Sequence, residues 1–469
     1  MSRDNVKKSI ARSEKDNVCD FEILTKHEVR CLLESTREQN SVEATLLRLS
    51  LFLGRSIENL LNIDCQFVRI KGHEYLENAG LIKVDRNYPD SHLKLPDFKQ
   101  SGKSQFGYIN VPEEYVLLFE QIKEKVTDPS NLDTCLEKVQ KALSKINEEY
   151  NTRLTRARIC RYFRFFCKDK GISEVRYGLI AAKDIGDHAG SYYTELTNHQ
   201  LFEVQSCFAA YLQKISEDVK LSLACPGNKS RPWGSKRLPE KSDVSQYFEG
   251  LKTMCISNRN NRDLIALCNN YTAYTLGVLQ IATGHRPENQ AFGPIKHFDT
   301  LNGYVFISDK KSGDNHRRVI QLCEIAKQQV LHHIEHLKQM KSLSQGLYPN
   351  LFIGIEKMLD MNGSAPLLSF IRNEQFDHEN PLELPSSIKN TKLGLVPNFY
   401  RHILRTELDK ANVQTDLIDW FMGHEANQDH SFSKFSSMSY NDAEFITPHI
   451  SNLFSDYNIS SFQSPLRSW

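Results

Sequence analysis

The sequence predicts a mainly α-helical protein with a small β-hairpin or sheet. Three observations predict it. Apolar residues recur at helical spacing through residues 44–53, 320–340 and 404–421, whereas strand-like runs are few and short. With 40% apolar and 25% charged residues the composition is that of a soluble globular protein, and 469 residues exceed one ordinary core, so two or three domains are expected. The clearest β-element is the pair 304–308 and 317–322, joined by the turn-rich Asp309-Lys-Lys-Ser-Gly-Asp-Asn315.

Taken in order, the apolar helix 44–53 leads to Gly54, and Phe106-Gly-Tyr-Ile-Asn-Val-Pro112 leads into a helix over 113–125. Residues 226–243, rich in Gly, Pro, Ser and charge, form the best linker candidate, inside a helical stretch from about 196 to 270. The hairpin is followed by an amphipathic helix over 324–340, and 346–386, with its prolines and glycines, reads as a loop-like insertion. The expected division is an N-terminal helical domain at 1–195, a core-binding region at 196–270 and a third domain at 271–469.

Charge and cysteine usage narrow the function classes. A net charge of +1 argues against a protein that neutralises many phosphates, unless its basic residues are clustered. Clusters stand at Arg153–Arg164, where arginines alternate with aromatics, at Lys229–Arg237, and at Lys310, Lys311, Arg317 and Arg318. Eleven cysteines without a Cys-x-x-Cys pair or zinc-finger histidines read as reduced, mostly buried thiols, with no metal site expected. No apolar run is long enough to span a bilayer and the first residues lack the apolar stretch of a signal peptide, so a cytosolic place is expected.

The chemistry-bearing residues concentrate late in the chain. Arg286 lies in Ile281-Ala-Thr-Gly-His-Arg-Pro-Glu-Asn289, His402 and Arg405 in Asn398-Phe-Tyr-Arg-His-Ile-Leu-Arg-Thr-Glu407, and His424 in Trp420-Phe-Met-Gly-His-Glu425. Breaking a phosphodiester without a metal requires compensation of charge on two non-bridging oxygens, and a planar guanidinium meets both at once. Arg286 and Arg405 suit that task, and His402 and His424 are expected to donate further hydrogen bonds to the same oxygens. Singly, a His-x-x-Arg is an ordinary surface pair and a Gly-His an ordinary helix end; their joint order is not ordinary.

These strings resemble the tyrosine recombinase (phage integrase) family over roughly the last 230 residues, the size of one domain. The resemblance implies a tyrosine recombinase catalytic fold at the C-terminus with helical N-terminal DNA-binding modules. It implies a site-specific integrase or transposase of a mobile element that cuts and rejoins DNA through a 3′-phosphotyrosyl intermediate, with no cofactor. Implied partners are double-stranded DNA, a homotetramer on DNA built from a dimer per recombination site, and accessory recombinase subunits, in a nucleoid-associated cytoplasmic setting. A lysine on the hairpin acts in that family as the acid for the departing 5′ oxygen. Lys311, 25 positions after Arg286 (311 minus 286) and followed by Ser312-Gly313, fits the role, with Lys310 as its rival. The expected nucleophile is Tyr440, although it stands 16 positions after His424 (440 minus 424); in the other reading Phe435, nearer the family's usual slot, marks a lost or replaced nucleophile. Tyr457 is a more distant third. Glu288 and Asn289 compete to brace Arg286. Two other readings share these residues: a catalytically inactive DNA-binding subunit, and a telomere resolvase or type IB topoisomerase.

The N-terminal half carries a faint echo of the C-terminal half. Gly54-Arg-Ser-Ile-Glu-Asn59 parallels Gly284-His-Arg-Pro-Glu-Asn289; Arg158-Ile-Cys-Arg161 parallels His402-Ile-Leu-Arg405; Ile185-Gly-Asp-His188 with Tyr192 and Tyr193 parallels residues 422–425 and Tyr440. Ser56 fills the place of Arg286 and no hairpin lysine is evident, so the echo is either a duplicated fold that lost its chemistry or a coincidence of amphipathic helices. Residues 445–454, with Phe445, Ile446, Ile450, Leu453 and Phe454 at helical spacing, either dock on a neighbouring protomer or close their own core.

Overall fold

The computed structural model describes residues 22–37, 39, 41–62, 65–72, 75–85, 106–125, 129–182, 189–227, 231–235, 237–286, 292–308, 317–377, 395, 398–424 and 444–468. It is mainly helical with small antiparallel sheets, and it divides into two compact units, Met1–Lys236 and Arg237–Trp469. The division differs from the one expected at 195 and 270. Leu201, Val204 and Phe208, beyond the first expected boundary, belong to the core of the first unit, and position 270 falls inside the buried helix Leu264–Thr283. No helix among the described residues is long and apolar enough to cross a membrane.

The first unit begins with α1 (Lys26–Ser35), whose first turn is closed by a capping box. Thr25 Oγ1 accepts from Glu28 N–H at 3.2 Å, and Glu28 accepts from Thr25 N–H at 2.8 Å. The apolar α2 (Val42–Leu53) stops at Gly54, whose φ of 64° lies in the left-handed region, and α3 (Ile57–Leu61) follows. A three-stranded antiparallel meander comes next, β1 (Phe67–Gly72), β2 (Tyr75–Asp85) and β3 (Phe106–Asn110). The helices α4 (Glu113–Lys125), α5 (Pro129–Tyr150), α6 (Arg156–Asp169), α7 (Glu174–Ile180) and α8 (Ala189–Tyr193) complete most of the unit. It ends with β4 (Glu195–Leu196), α9 (Asn198–Ile215) and β5 (Trp233–Gly234), which pairs with β4. Phe52, Phe163 and Phe166 cluster with Phe208 of α9 in a core that α2, α6 and α9 share.

The second unit opens with the paired helices α10 (Lys241–Asn260) and α11 (Leu264–Thr283). Gly277 lets them approach, since a Cβ there would lie 3.1 Å from the Phe248 ring. The expected hairpin is present: β7 (Tyr304–Ser308) pairs antiparallel with β8 (Arg317–Gln321), and the short β6 (Phe298–Asp299) makes it three-stranded. Inward Val305, Ile307 and Ile320 are buried, giving the alternation that specifies the register. The amphipathic α12 runs Glu324–Ser344, slightly longer than expected.

Part of the expected loop-like insertion is a helix, α13 (Pro349–Leu359), followed by the small pair β9 (Ile371–Arg372) and β10 (Gln375–Phe376). Pro349 sits in the first turn, where its missing N–H costs nothing, and Leu351, Ile355 and Met358 supply a buried face against α12. Asn269 secures β9, exchanging hydrogen bonds with the Ile371 carbonyl at 3.0 Å and N–H at 2.7 Å. The unit ends with α14 (Phe399–Lys410), α15 (Thr415–Met422) and α16 (Ile446–Asp456). Ile446, Ile450, Leu453 and Phe454 are buried on α12 and α14, so this segment closes its own core. The tail beyond it is latched by the Tyr271 and Tyr274 hydroxyls, which donate to the carbonyls of Phe462 and Ser460 at 2.6 Å.

Candidate active site

Helix α14 is unusual in burying polar residues among its apolar ones: Arg401, His402, Arg405, Thr406 and Asp409 are buried beside Tyr400, Ile403, Leu404 and Leu408. Buried polar groups persist where they have partners, and those of α14 gather all three of the strings that carried the sequence argument. Arg401 donates to the Gly284 carbonyl, to the Met422 carbonyl at 2.8 Å and to His424 Nε2 at 2.5 Å. The Tyr400 hydroxyl donates to the His285 carbonyl at 2.7 Å. Gly284 has a φ of 62°, and a Cβ placed on it would lie 3.3 Å from Leu404 and 3.7 Å from Met422. The chain leaving α11 toward Arg286 is thus pressed against both α14 and α15, and only glycine suits that backbone conformation without strain.

His424 follows a helix end of Schellman type. Gly423, with φ 66°, donates its N–H to the Trp420 carbonyl at 2.9 Å, and the His424 N–H reaches the Asp419 carbonyl at 2.8 Å. The imidazole is almost wholly buried, with its Nδ1 3.8 Å from the Asp419 carboxylate. Burial pushes its pKa down to about 3, with the charges of Arg401 and Arg405 acting in the same direction and Asp419 opposing them. The ring is therefore neutral near pH 7. Because Nε2 accepts from Arg401, Nδ1 carries the proton. This departs from the expected clamp, in which His424 donates to phosphate: here its Nε2 is engaged by a guanidinium.

Arg405 lies one turn after His402 with its side chain fully buried, and its Nη1 is ion-paired to Asp419 Oδ1. Its Nε and Nη2 have no acceptor among the described residues. These two N–H groups form the side-on edge of the guanidinium, the fork that meets two oxygens of a carboxylate or phosphate. The Asp419 carboxylate therefore holds Arg405 from one end and leaves its two-donor edge without a partner among the described residues.

The hairpin is tied to the same place. Arg318 of β8 is buried and donates Nε to the Phe421 carbonyl at 3.0 Å, which fixes the strand beside the last turn of α15. Lys310 and Lys311 lie in the connection between β7 and β8, outside the described residues, as do Glu288, Asn289, Phe435 and Tyr440. Arg286 is half-buried directly after the Gly284–His285 step that α14 holds. Tyr457, the third candidate nucleophile, is the buried residue that ends α16, and its carbonyl accepts from Ser245 at 2.7 Å, a core role.

The structure thus brings the strings of Arg286, His402, Arg405 and His424 together around Gly284. Sequence reasoning missed Arg401 and Asp419. Each carried a signal: Asp419 interrupts the apolar run Leu417, Ile418, Trp420, Phe421, Met422, and Arg401 stands four positions before Arg405, on the same helix face. Comparison with models of known protein families, with curated proteins and with solved structures gave no match.

Proposed function

We propose that the second unit is a tyrosine recombinase catalytic domain and that the protein is a site-specific recombinase of the integrase or transposase kind, acting on double-stranded DNA. One observation carries the reading: the buried Arg405, fixed at Nη1 by Asp419, has no acceptor for Nε and Nη2 among the described residues. A buried donor pair without an acceptor costs free energy, and a phosphodiester supplies two oxygens at the spacing of that fork. Arg286 and His402 stand on the segments bound to the same centre, where charge grows on the non-bridging oxygens as the phosphorus becomes five-coordinate.

In this reading the Tyr440 oxygen attacks phosphorus while the bond to the 5′ oxygen breaks. The tyrosine proton passes to water, a 3′-phosphotyrosyl bond forms, and Lys311, or Lys310 in its place, gives a proton to the departing 5′ oxygen. A 5′ hydroxyl of a partner duplex reverses the step, so bond energy is conserved in the adduct. Exchange between two duplexes requires four protomers, and the setting is the cytoplasm and its nucleoid.

A duplex nicked close to the cleavage point tests the reading, because the short released strand diffuses away and leaves the adduct trapped. The expected result is a DNA-linked band on a denaturing gel, mapped by peptide sequencing to Tyr440 and missing in Tyr440→Phe. Binding without an adduct, together with an adduct in Phe435→Tyr, would make the chain as it stands the catalytically inactive subunit.

A further inference from the structure

The two units share part of one succession of elements, at spacings that differ early and agree in register only over a later helix pair. In each, an apolar helix ends at a left-handed glycine, Gly54 with φ 64° or Gly284 with φ 62°, and a three-stranded antiparallel meander follows. In each, two residues separate the last strand from the next helix: Asn110 is followed by a helix from Glu113, and Gln321 by one from Glu324. The helix pair further on matches position by position. Helices α6 and α14 end at Asp169 and Lys410, the left-handed turn residues are Gly171 and Asn412, and the left-handed residues after the second helix are Ala182 and Gly423, each 241 positions apart (410 minus 169, 412 minus 171, 423 minus 182). Ile172 N–H donates to the Cys167 carbonyl at 2.9 Å as Val413 N–H donates to the Leu408 carbonyl at 3.1 Å, again in that register.

A contact between distant segments gives the same answer independently. The Cβ position of Gly54 points at Phe163, as that of Gly284 points at Leu404; the helix residues of these two contacts also differ by 241 (404 minus 163), the glycines by 230 (284 minus 54). Coincidence among amphipathic helices does not produce a turn and carbonyl acceptors in one register together with a glycine contact to the matching helix position. The register corrects the pairing read from sequence by three positions: His402 and Arg405 correspond to Arg161 and Arg164, not to Arg158 and Arg161. Arg158 is a buried structural residue, with Nη1 2.7 Å and Nη2 2.9 Å from the two oxygens of Glu28.

We propose that the first unit is a second copy of the same fold that has lost the chemistry and grips the sugar-phosphate backbone of duplex DNA through Arg161 and Arg164. The inference rests on the DNA reading given above. Gly178 stands where Asp419 would be (419 minus 241) and Ser56 where Arg286 would be, counting from the two glycines, so the copy has neither the carboxylate that fixes the second arginine nor the first arginine. It cannot neutralise a five-coordinate phosphorus. Arg161, Arg164 and Lys168 nevertheless share one face of α6 at helical spacing, outside the buried core, with Arg161 2.7 Å from Glu22. Such a face can meet ground-state phosphates without acting on them.

The test measures the full chain on a duplex of mixed sequence across a range of salt. Each phosphate contact contributes about 0.9 to the slope of log affinity against log salt, so Arg161→Gln/Arg164→Gln is expected to bind more weakly with a slope shallower by roughly 2. Arg161→Lys/Arg164→Lys keeps both charges and is expected to retain the parent slope. The same slope in the Gln variant and the parent overturns the inference while leaving the proposed function of the second unit standing. A parent chain that does not bind duplex DNA at low salt overturns both.

Discussion

Arg401 and His424 share a hydrogen bond of 2.5 Å in which the arginine Nη2 donates to the imidazole Nε2. The same guanidinium holds the carbonyls of Gly284 and Met422, so one side chain joins the three strings that carry the proposed clamp. Replacing it leaves two buried carbonyls short of a donor, at about 1–3 kcal/mol each. Arg401→Gln is expected to lower stability in urea and to raise the His424 pKa, because one of the two charges that oppose imidazolium formation is gone. The His424 ring signals followed by NMR across pH check this. An unchanged titration would show that Arg401 does not govern the state of that ring.

Asp419→Asn removes the counter-charge of a fully buried arginine. Breaking one side of a buried pair costs about 3–5 kcal/mol, well above the effect of a surface substitution. The variant is expected to be clearly destabilised, and by more than Asp416→Asn at an exposed position of the same helix. Equal denaturation midpoints for the two would remove Asp419 from the role assigned to it.

Acid should weaken the protein before its carboxylates titrate. Burial holds His424 near a pKa of about 3 and His333 near about 4, and it holds His336 well below its ordinary value. An unfolded histidine titrates near 6.5. Above that value neither state binds the proton; below it only the unfolded chain does, so the stability from these neutral rings is full above pH 6.5 and lost as pH falls toward 4. Each such ring costs up to about 1.4 kcal/mol per pH unit in that window. Thermal melting at pH 7.5 and pH 5 checks the sign, and a melting temperature that rises on acidification would contradict it.

What the sequence disclosed follows from periodicity and local chemistry. The hairpin was legible because β-branched and aromatic residues flank a polar, glycine-containing turn, and α12 because its apolar face repeats at helical spacing. Helix α13 was hidden because the prolines and glycines that suggested a loop sit at its start and on its packed face, at Pro349 and Gly354. The residues of the proposed clamp were visible as strings, but Arg401 and Asp419 act through contacts 117 and 14 positions away in the chain, which no local pattern encodes. The register proposed between the two units was likewise invisible: the matching residues differ in type, while the turns, carbonyl acceptors and glycine contacts agree.

The most direct test of the central claim is single-turnover cleavage by Arg405→Lys, measured beside duplex affinity. Lysine keeps the charge that faces Asp419 but lacks the Nε/Nη2 fork. If that fork holds the reacting phosphate, the rate should fall by more than about 100-fold while affinity, set by many other phosphate contacts, stays within about threefold. A rate within about tenfold of the parent, a loss of barely 1.4 kcal/mol in transition-state stabilisation, would contradict the account.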